Sequence, residues 1–212
     1  MVKSALIRGL YVISDASFPG GRSHEDIVSD AVKGGARIIQ LRDKLLAPDE
    51  LYPIALRLRG ITREAGALLI INDSIELAMA VDADGVHLGQ EDLSAEAARK
   101  ILGESKIIGV STHSVEQAVA AFEAGADYIG FGPIFNTATK DAGAAKGPAA
   151  ISAVKKAVNI PVAAIGGINI GNAAEAIAAG ADALAVIGAV AGARDVAAAV
   201  RELSALFSGG NR

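Results

Sequence analysis

The sequence predicts a single (β/α)8 barrel, and three observations predict it. Eight short apolar segments recur along 212 residues, and patterns typical of helices lie between many of them. Most of these segments are nearly continuous apolar runs, as in parallel strands that are covered on both faces. The third observation is size, because compact barrels of this kind start at roughly 200 residues. We therefore expect one domain over residues 1–212, ending in a short frayed tail.

The predicted strands follow one another along the whole chain. In order they are "GLYVISD", "ARIIQLRD", "ALLIIND", "GVHLG", "KIIGVST", "YIGFGPIF", "PVAAIGG" and "ALAVIGA". After the first strand, the segment 23–35 predicts a helix with Ser23 as its N-cap and Ile27, Val28, Ala31 and Val32 on its apolar face. The alternative, an open doubly wound sheet, would need a G-x-G-x-x-G turn after the first strand, and none follows it.

The later helices follow the same pattern. Segment 114–125 predicts a helix that ends at Gly125 and has an apolar face of Val115, Ala118, Val119 and Phe122. Segment 169–180 ends in the same way at Gly180. The stretches "KGGARII", "EAGALLI", "EAGADYI" and "AAGADAL" repeat one loop chemistry, a turn of small residues and glycine between a helix and a strand.

Composition and charge exclude several classes of protein. Apolar residues make up 51% of the chain, but its longest apolar run, 183–193, is shorter than the ~20 residues that span a bilayer. Cysteine is absent, which rules out disulfides and thiolate chemistry and is compatible with a cytoplasmic protein. A net charge of −4 disfavours a broad nucleic-acid surface. We expect a cytoplasmic protein without nucleic-acid or membrane partners, and a homo-oligomer stays open.

Polar residues gather where the predicted strands end. In a barrel of this kind, catalysis takes place at the carboxyl ends of the strands, so these residues form a candidate site. They are Gln40, Arg42, Asp43 and Lys44 after the second strand, Asn72 and Asp73 after the third, His87, Gln90, Glu91 and Asp92 after the fourth, Ser111, Thr112 and His113 after the fifth, and 137–140 after the sixth.

Two carboxylates in this set, Asp73 and Asp92, could share a Mg²⁺ ion. Mg²⁺ prefers oxygen ligands and usually takes one or two carboxylates together with phosphate oxygens. Arg42, Lys44 and Lys140 would then face the same mouth as partners of phosphate. A plainer interpretation stays open, in which the aspartates cap helices and the lysines are solvated. His87 lies within a strand, where a histidine is more often packed and hydrogen-bonded, so we give it a secondary role.

The last two strands end in glycine, at Gly166 and Gly167 and then at Gly188. Loops at these positions often bind phosphate through backbone N–H groups, which glycine leaves unobstructed. Tight turns without a ligand are the alternative. Cationic side chains on one side of the mouth and free amides on the other suggest two phosphorylated substrates, or one substrate with two phosphates.

Seven stretches together carry a family resemblance over nearly the whole chain. They are "YVISD", "QLRDK", "IND", "DGVHLGQED", "GVSTH", "DYIGFGPIFNTATK" and "AIGGI". The ordered set resembles the thiamine-phosphate synthase family, also called thiamine-phosphate pyrophosphorylase. The resemblance implies a TIM barrel, a transferase that joins hydroxymethylpyrimidine pyrophosphate to a thiazole phosphate and releases pyrophosphate with Mg²⁺. These two small molecules are the partners it implies.

The resemblance assigns residues to each half of the site. To the pyrimidine pyrophosphate it assigns Gln40, Leu41, Arg42, Asp43, Lys44, Asn72, Ser111 and Lys140, with Arg42, Lys44, Ser111 and Lys140 as the catalytic set. To the thiazole phosphate it assigns Thr137, Ala138, Thr139, Gly167, Ile187 and Gly188, and to Mg²⁺ it assigns Asp73 and Asp92. The family often has proline at Asn136 and serine at Gly188, so the second departure removes a hydroxyl donor.

The resemblance implies a dissociative displacement. Pyrophosphate leaves first, and the thiazole nitrogen captures the pyrimidine-methyl cation, with the segment 137–147 as a closing loop. A related branch, the thiazole tautomerases, tends to lose the pyrophosphate motif that is intact here. A phosphosugar isomerase would need a pair of carboxylate or histidine side chains as catalytic bases, and Asp15 with His87 is a poor match for such a pair. A non-catalytic thiazole-phosphate binding protein is a further alternative.

Overall fold

The computed structural model describes residues 3–16, 21–137 and 143–208. Its strands form a closed parallel barrel in chain order. They are β1 (Gly9–Ser14), β2 (Ile38–Leu41), β3 (Leu68–Asn72), β4 (Gly85–Leu88), β5 (Ile107–Thr112), β6 (Tyr128–Phe131), β7 (Val162–Ile165) and β8 (Ala183–Val186). The pairing of β8 with β1 closes the ring, with Gly9 opposite Ala183. The predicted (β/α)8 fold is confirmed.

Helices surround this barrel. Within the described residues they are α1 (His24–Lys33), α2 (Pro48–Ala65), α3 (Ile75–Ala80), α4 (Ala95–Leu102), α5 (Val115–Glu123), α6 (Pro148–Ala157), α7 (Ala173–Ala178), α8 (Gly188–Ala191) and α9 (Val196–Ser208). A short 3-10 helix, Lys3–Leu6, precedes β1. None of the helices in these ranges is both long and apolar enough to cross a membrane. The expected frayed tail falls at 209–212, outside the described residues.

The buried apolar residues form two layers. The larger layer lies between strands and helices and includes Val12, Ile39 and Leu69. The smaller layer fills the barrel interior and is built from Ile7, Tyr11, Ile13, Ile38, Ile70, Ile107, Tyr128, Ala163, Ala183 and Ala185. Because successive strand residues alternate between these layers, both faces of each strand are apolar. This alternation explains the nearly continuous apolar runs in the sequence.

Two local predictions have different outcomes. Ser23 does cap α1, since its hydroxyl accepts a hydrogen bond from the Asp26 N–H. The predicted face of α5 is partly wrong, because Ala118 and Ala121 are buried and Phe122 is 37% exposed. Small alanines let α5 approach the strands closely, and the phenylalanine ring would prevent that approach.

The sixth strand is shorter than the run "YIGFGPIF" predicts. β6 ends at Phe131, and Pro133, which lacks an N–H, follows it. The next residues form a loop whose backbone bonds to the end of β7, with Ile134 N–H donating to Ile165 O at 2.9 Å and Phe135 N–H to Gly166 O at 3.0 Å. This loop carries the start of the polar segment, Asn136 and Thr137, to the mouth of the barrel.

At the amino-terminal end of the barrel, three aspartates repeat one arrangement. Asp84, Asp127 and Asp182 each stand directly before an even-numbered strand and accept a backbone N–H at 2.8 Å from the strand before it. Each also forms an ion pair with a basic side chain from an even-numbered helix. The partners, in the same order, are Arg59 at 2.7 Å, Arg99 at 2.6 Å and Lys155 at 2.6 Å. We call these contacts the three aspartate links.

Candidate active site

A cavity of about 170 Å³ opens at the carboxyl-terminal end of the barrel. Its polar lining is Tyr11, Gln40, Arg42, Asn72, His87, Ser111 and Tyr128. Its apolar lining includes Ile13, Ile165 and Ile187. The strand ends thus bring together four of the residues predicted for the pyrimidine pyrophosphate (Gln40, Arg42, Asn72 and Ser111) with Ile187 from the predicted thiazole side.

The loop after β2 is held from two sides. The Arg42 guanidinium donates to the carboxylate of Asp15, a buried residue directly after β1. The Asp43 carboxylate accepts the N–H groups of Leu45 and Leu46 at 2.8 and 2.9 Å. These contacts fix the direction in which Arg42 leaves the strand. Asp15 was not among the predicted binding residues.

Asp43 has a structural role in this loop. Its second oxygen lies 3.1 Å from His24 Nε2, and His24 Nδ1 lies 3.0 Å from the Ser14 hydroxyl. Burial works against the ionised form of Asp43, but the N–H groups of Leu46 and Leu45 and the contact with His24 keep its pKa below the usual value. Ser14 is completely buried. The three side chains are almost completely shielded from solvent, so the cluster fixes the loop.

Leu41 also differs in surroundings from its neighbours in the motif. Its side chain is 1% exposed and packs in the layer between strands and helices. A contact between Leu41 and a substrate would therefore have to use its backbone. Lys44 is exposed, and its charge acts on Asp73 across the mouth.

Asp73 and Asp92 face each other at the ends of adjacent strands. Burial, a hydrogen bond between the two side chains and the like charge of Asp92 raise the pKa of Asp73 to about 6, although Lys44 and Arg42 oppose this. Asp92 also accepts the Gly89 N–H at 2.6 Å. Ser74, and not Asp73, provides the cap of α3, since its hydroxyl accepts the Leu77 N–H.

The carboxylate pair fits a Mg²⁺ ion. A hard divalent cation bound between two carboxylates reduces the repulsion between their charges, and Mg²⁺ commonly takes only one or two carboxylates. In the described ranges no cluster of three or more histidine, cysteine or acidic side chains could hold a metal ion. A cation on Asp73 and Asp92 would thus complete its coordination with water and ligand oxygens.

His87 belongs to the cavity floor. Its Nδ1 lies 2.9 Å from the Tyr128 hydroxyl and its Nε2 lies 2.9 Å from the Ser111 hydroxyl. Burial lowers the pKa of His87 to about 4, against the opposing charge of Asp92. The imidazole is therefore neutral near pH 7. This agrees with the secondary role that the sequence assigned to it.

The glycines after β7 form a tight junction with the loop after β6. Gly167 has a φ of +66°, and a Cβ atom there would lie 2.3 Å from the Asn136 carbonyl oxygen. Only glycine fits this close approach without strain. Asn136, to which the sequence assigned no role, supplies its carbonyl to this junction, and Thr137 follows it. Gly188 begins α8, directly after Ile187.

Part of the predicted site falls outside the described residues. Ala138, Thr139 and Lys140 lie there, and the stretch 138–142 of the predicted closing loop lies there as well. The residues that sequence reasoning missed are Asp15, His24, Tyr11 and Tyr128. A signal existed for Asp15, which ends the first strand in the same way as Asp73 ends the third, but a buried tyrosine in an apolar run gives no such signal.

Comparisons with known proteins agree with this geometry. The family model described as thiamine monophosphate synthase matches residues 10–190. The chain is 48% identical to the thiamine-phosphate synthase of Chloroflexus aurantiacus over 94% of this chain and 92% of the relative. It is 50% identical to that of Methanospirillum hungatei, over 94% of this chain and 97% of the relative.

This chain belongs to the thiamine monophosphate synthase family. A solved structure of a thiamine phosphate pyrophosphorylase from Pyrococcus furiosus superposes with a TM-score of 0.88 at 42% identity, covering 98% of both chains. The chain is thus a transferase of the thiamine-phosphate synthase type with a single (β/α)8 barrel. The resemblance found in the seven sequence stretches is confirmed.

Proposed function

We propose that this thiamine monophosphate synthase family member joins a hydroxymethylpyrimidine pyrophosphate to a thiazole phosphate by a Mg²⁺-assisted dissociative displacement. The observation that supports this best is the Asp73–Asp92 pair, with Arg42 and Lys44 beside it. A site for a divalent cation and two cationic side chains thus share one side of the mouth. Such a combination suits a pyrophosphate group that leaves with several negative charges.

The chain's own residues would hold the leaving group before the reaction. Asp15 fixes the Arg42 guanidinium, so that little reorganisation is needed when pyrophosphate charge develops. Lys44 adds a second cation from the same loop. Mg²⁺ bound to Asp73 and Asp92 would supply neutralisation of the phosphate oxygens. Lys140 has its predicted place with these groups, although it lies outside the described residues.

The reaction proposed is a break followed by a bond formation. The bond between the pyrimidine-methyl carbon and the pyrophosphate oxygen breaks, and the electron pair leaves with pyrophosphate. The thiazole nitrogen then donates its lone pair to the resulting cation. Ile13, Ile165 and Ile187 line the cavity, and such apolar walls limit the access of water to the cation. No general base is required.

The thiazole phosphate would occupy the other side of the mouth. The glycine loops at Gly167 and Gly188 present backbone amides without side chains, which suits a phosphate group. Ile187 lines the cavity and directly precedes Gly188 in the chain, so the thiazole ring and its phosphate would have adjoining places. The serine hydroxyl common in the family at position 188 is absent, which leaves backbone amides as the donors there.

One assay tests this proposal against its rivals. Both substrates are incubated with the full chain and Mg²⁺, and thiamine phosphate and pyrophosphate are measured together. We expect equal amounts of the two products, and none in the presence of a chelator. A thiazole tautomerase would instead convert a thiazole carboxylate phosphate without Mg²⁺, and a binding protein would retain the thiazole phosphate and give no product. Absence of both products would refute the synthase proposal. A cytoplasmic location and an oligomeric state stay predictions.

A further inference from the structure

A chain of side-chain hydrogen bonds crosses the barrel interior under the cavity. Gln40 Nε2 lies 2.8 Å from the Tyr11 hydroxyl, which lies 2.8 Å from the Tyr128 hydroxyl. His87 bridges Tyr128 and Ser111 with two contacts of 2.9 Å. Five side chains from β2, β1, β6, β4 and β5 are thus connected in series.

The first member sets the direction of the chain. Gln40 turns its amide nitrogen, which can only donate, towards Tyr11. Tyr11 is 1% exposed, and within the described residues its hydroxyl contacts only Gln40 and Tyr128. A buried hydroxyl proton without an acceptor costs free energy. The Tyr11 proton must therefore be donated to the Tyr128 oxygen.

The same reasoning continues along the chain. Tyr128 is completely buried and accepts from Tyr11, so its own proton goes to Nδ1 of His87. Among the residues that the structure describes, the two imidazole nitrogens have hydroxyl groups as hydrogen-bond partners, and a neutral imidazole has one acceptor nitrogen and one donor nitrogen. With Nδ1 accepting, Nε2 carries the proton and donates it to the Ser111 oxygen.

The tyrosine in the middle of the chain is held in one position. A Cβ atom on Gly109 would lie 2.1 Å from the Tyr128 ring, so the ring occupies space that only glycine leaves free. The Tyr11 ring packs against it, with the ring centroids 6.0 Å apart. Because packing fixes the heavy atoms, only the positions of the hydroxyl and imidazole protons decide which group donates in each hydrogen bond.

We propose that Tyr11, Tyr128 and His87 form a one-directional hydrogen-bond chain that holds His87 as the Nε2–H tautomer and leaves the Ser111 hydroxyl proton free for the substrate. Ser111 would then be a donor, and the substrate atom facing it must be an acceptor, such as a ring nitrogen or an anionic oxygen. The three residues are positioning residues that act through Ser111. Only the statement about the substrate atom that faces Ser111 rests on the proposed function.

The tautomer can be measured directly. Nitrogen-15 NMR of the histidine-labelled protein at pH 7.5 identifies which ring nitrogen carries the proton, and the His87→Asn variant assigns the signal among the three histidines. We expect the Nε2–H tautomer in the free protein. In Tyr128→Phe the acceptor role of Nδ1 is lost, so we expect a mixture of tautomers. An Nδ1–H tautomer in the unmodified protein would overturn the proposal, because it requires the opposite direction.

A double-mutant cycle tests the connection to Ser111. Tyr128→Phe should lower kcat/KM about fivefold, the effect of losing one neutral hydrogen bond. In the Ser111→Ala background the same change should have almost no effect, because the chain no longer has an end group. Tyr52→Phe, on an exposed tyrosine of α2, is the matched control. It should leave kcat/KM unchanged in the unmodified protein and in the Ser111→Ala background. Equal losses in both backgrounds would mean that Tyr128 is only structural.

The two measurements separate this proposal from the proposed function. If the protein makes no thiamine phosphate, the synthase proposal fails, but NMR still decides the direction of the chain. If the protein is active and His87 carries its proton on Nδ1, the chain fails and the function stands. Should Tyr128→Phe fold poorly, Tyr11→Phe removes the donor that precedes it, and the Nε2–H bias should then become weaker.

Discussion

Aspartate side chains have opposite kinds of partners at the two ends of the barrel. At the amino-terminal end, each of the three aspartate links joins a carboxylate to one backbone N–H and one cation. At the carboxyl-terminal end, Asp73 and Asp92 face each other, and the pKa of Asp73 rises to about 6. One environment satisfies the charge with the chain's own groups, and the other leaves it for a ligand. The balance of partners around a carboxylate, more than the residue type, therefore separates a structural carboxylate from a functional one.

The largest expected effect comes from neutralising one carboxylate at each end. Asp73→Asn should reduce thiamine phosphate formation by about 100-fold or more, because the site for the cation loses a charged ligand. Its free energy of unfolding should stay the same or rise, since a like-charge contact disappears. Enzyme assay with Mg²⁺ and chemical denaturation measure the two effects.

The matched control at the other end is Asp127→Asn. It removes the carboxylate charge that pairs with Arg99, although the amide oxygen can still accept the Ile108 N–H, so the free energy of unfolding should fall by about 2 kcal/mol. Activity per folded molecule should not change. If both variants lost activity and stability to the same degree, the contrast between the ends would be wrong.

A pair of glycines tests the two ends in a second way. Gly103 and Gly167 share a φ of +66°, but a Cβ atom meets nothing within 4 Å at Gly103 and lies 2.3 Å from Asn136 O at Gly167. Gly103→Ala should cost about 2–3 kcal/mol of stability from backbone strain alone, because a φ of +66° with a ψ of −176° is a conformation that essentially only glycine adopts. Gly167→Ala should cost roughly 1–3 kcal/mol more from overpacking, and raise the KM for the thiazole phosphate. Similar stability losses and an unchanged KM would argue against a tight junction at the mouth.

Removing the contact between His24 and Asp43 in the loop after β2 should give a smaller effect. His24→Asn cannot reach Asp43, so the loop that carries Arg42 and Lys44 loses one of its supports. We expect the KM for the pyrimidine pyrophosphate to rise about fivefold, the effect of losing one hydrogen bond, with kcat nearly unchanged. Steady-state kinetics measure this.

Ser23→Ala is the control for that experiment. It removes the N-cap of the same helix, α1, without touching Asp43. Its stability should fall by about 1 kcal/mol, and its KM should stay at the original value. A rise in KM for both variants would assign the effect to the helix as a whole.

The smallest effect is a pH dependence at the carboxyl-terminal end. The pKa of Asp73 is raised in the folded protein, so its contribution to stability is present below the unfolded pKa and is lost as the pH rises through about 6. Without Mg²⁺, the unmodified protein should lose on the order of 1 kcal/mol relative to Asp73→Asn between pH 4 and 7. Denaturation curves of both proteins in a chelator test this. Parallel pH profiles would show that the pKa of Asp73 is not raised in the folded protein.

The sequence predicted the fold well because the barrel depends on a strong periodic signal. Buried strands such as Leu68–Asn72 are short apolar runs whose ends lie at polar or glycine turns, and this pattern is visible without coordinates. Strand ends also gave the location of Asn72, Asp73 and Ser111, because topology places all carboxyl ends on one face.

Other features could not be predicted, because they depend on contacts between distant strands. Tyr11 and Tyr128 are 117 residues apart, and nothing local shows that their hydroxyls meet. The "QLRDK" motif appears uniform in sequence, yet Leu41 packs outwards and Asp43 binds its own loop. The resemblance to a family supplied the assignment of Thr139 and Lys140, which the described residues leave as predictions.

The three aspartate links also bear on how the chain assembles. They join residues only 25, 28 and 27 positions apart, so each closes a short loop at a small entropic cost. The pairing of Gly9 with Ala183, by contrast, joins the two ends of the barrel across most of the chain. We expect neighbouring strand–helix units to form early and independently, and the meeting of β1 with β8 to be the slow, late step of folding.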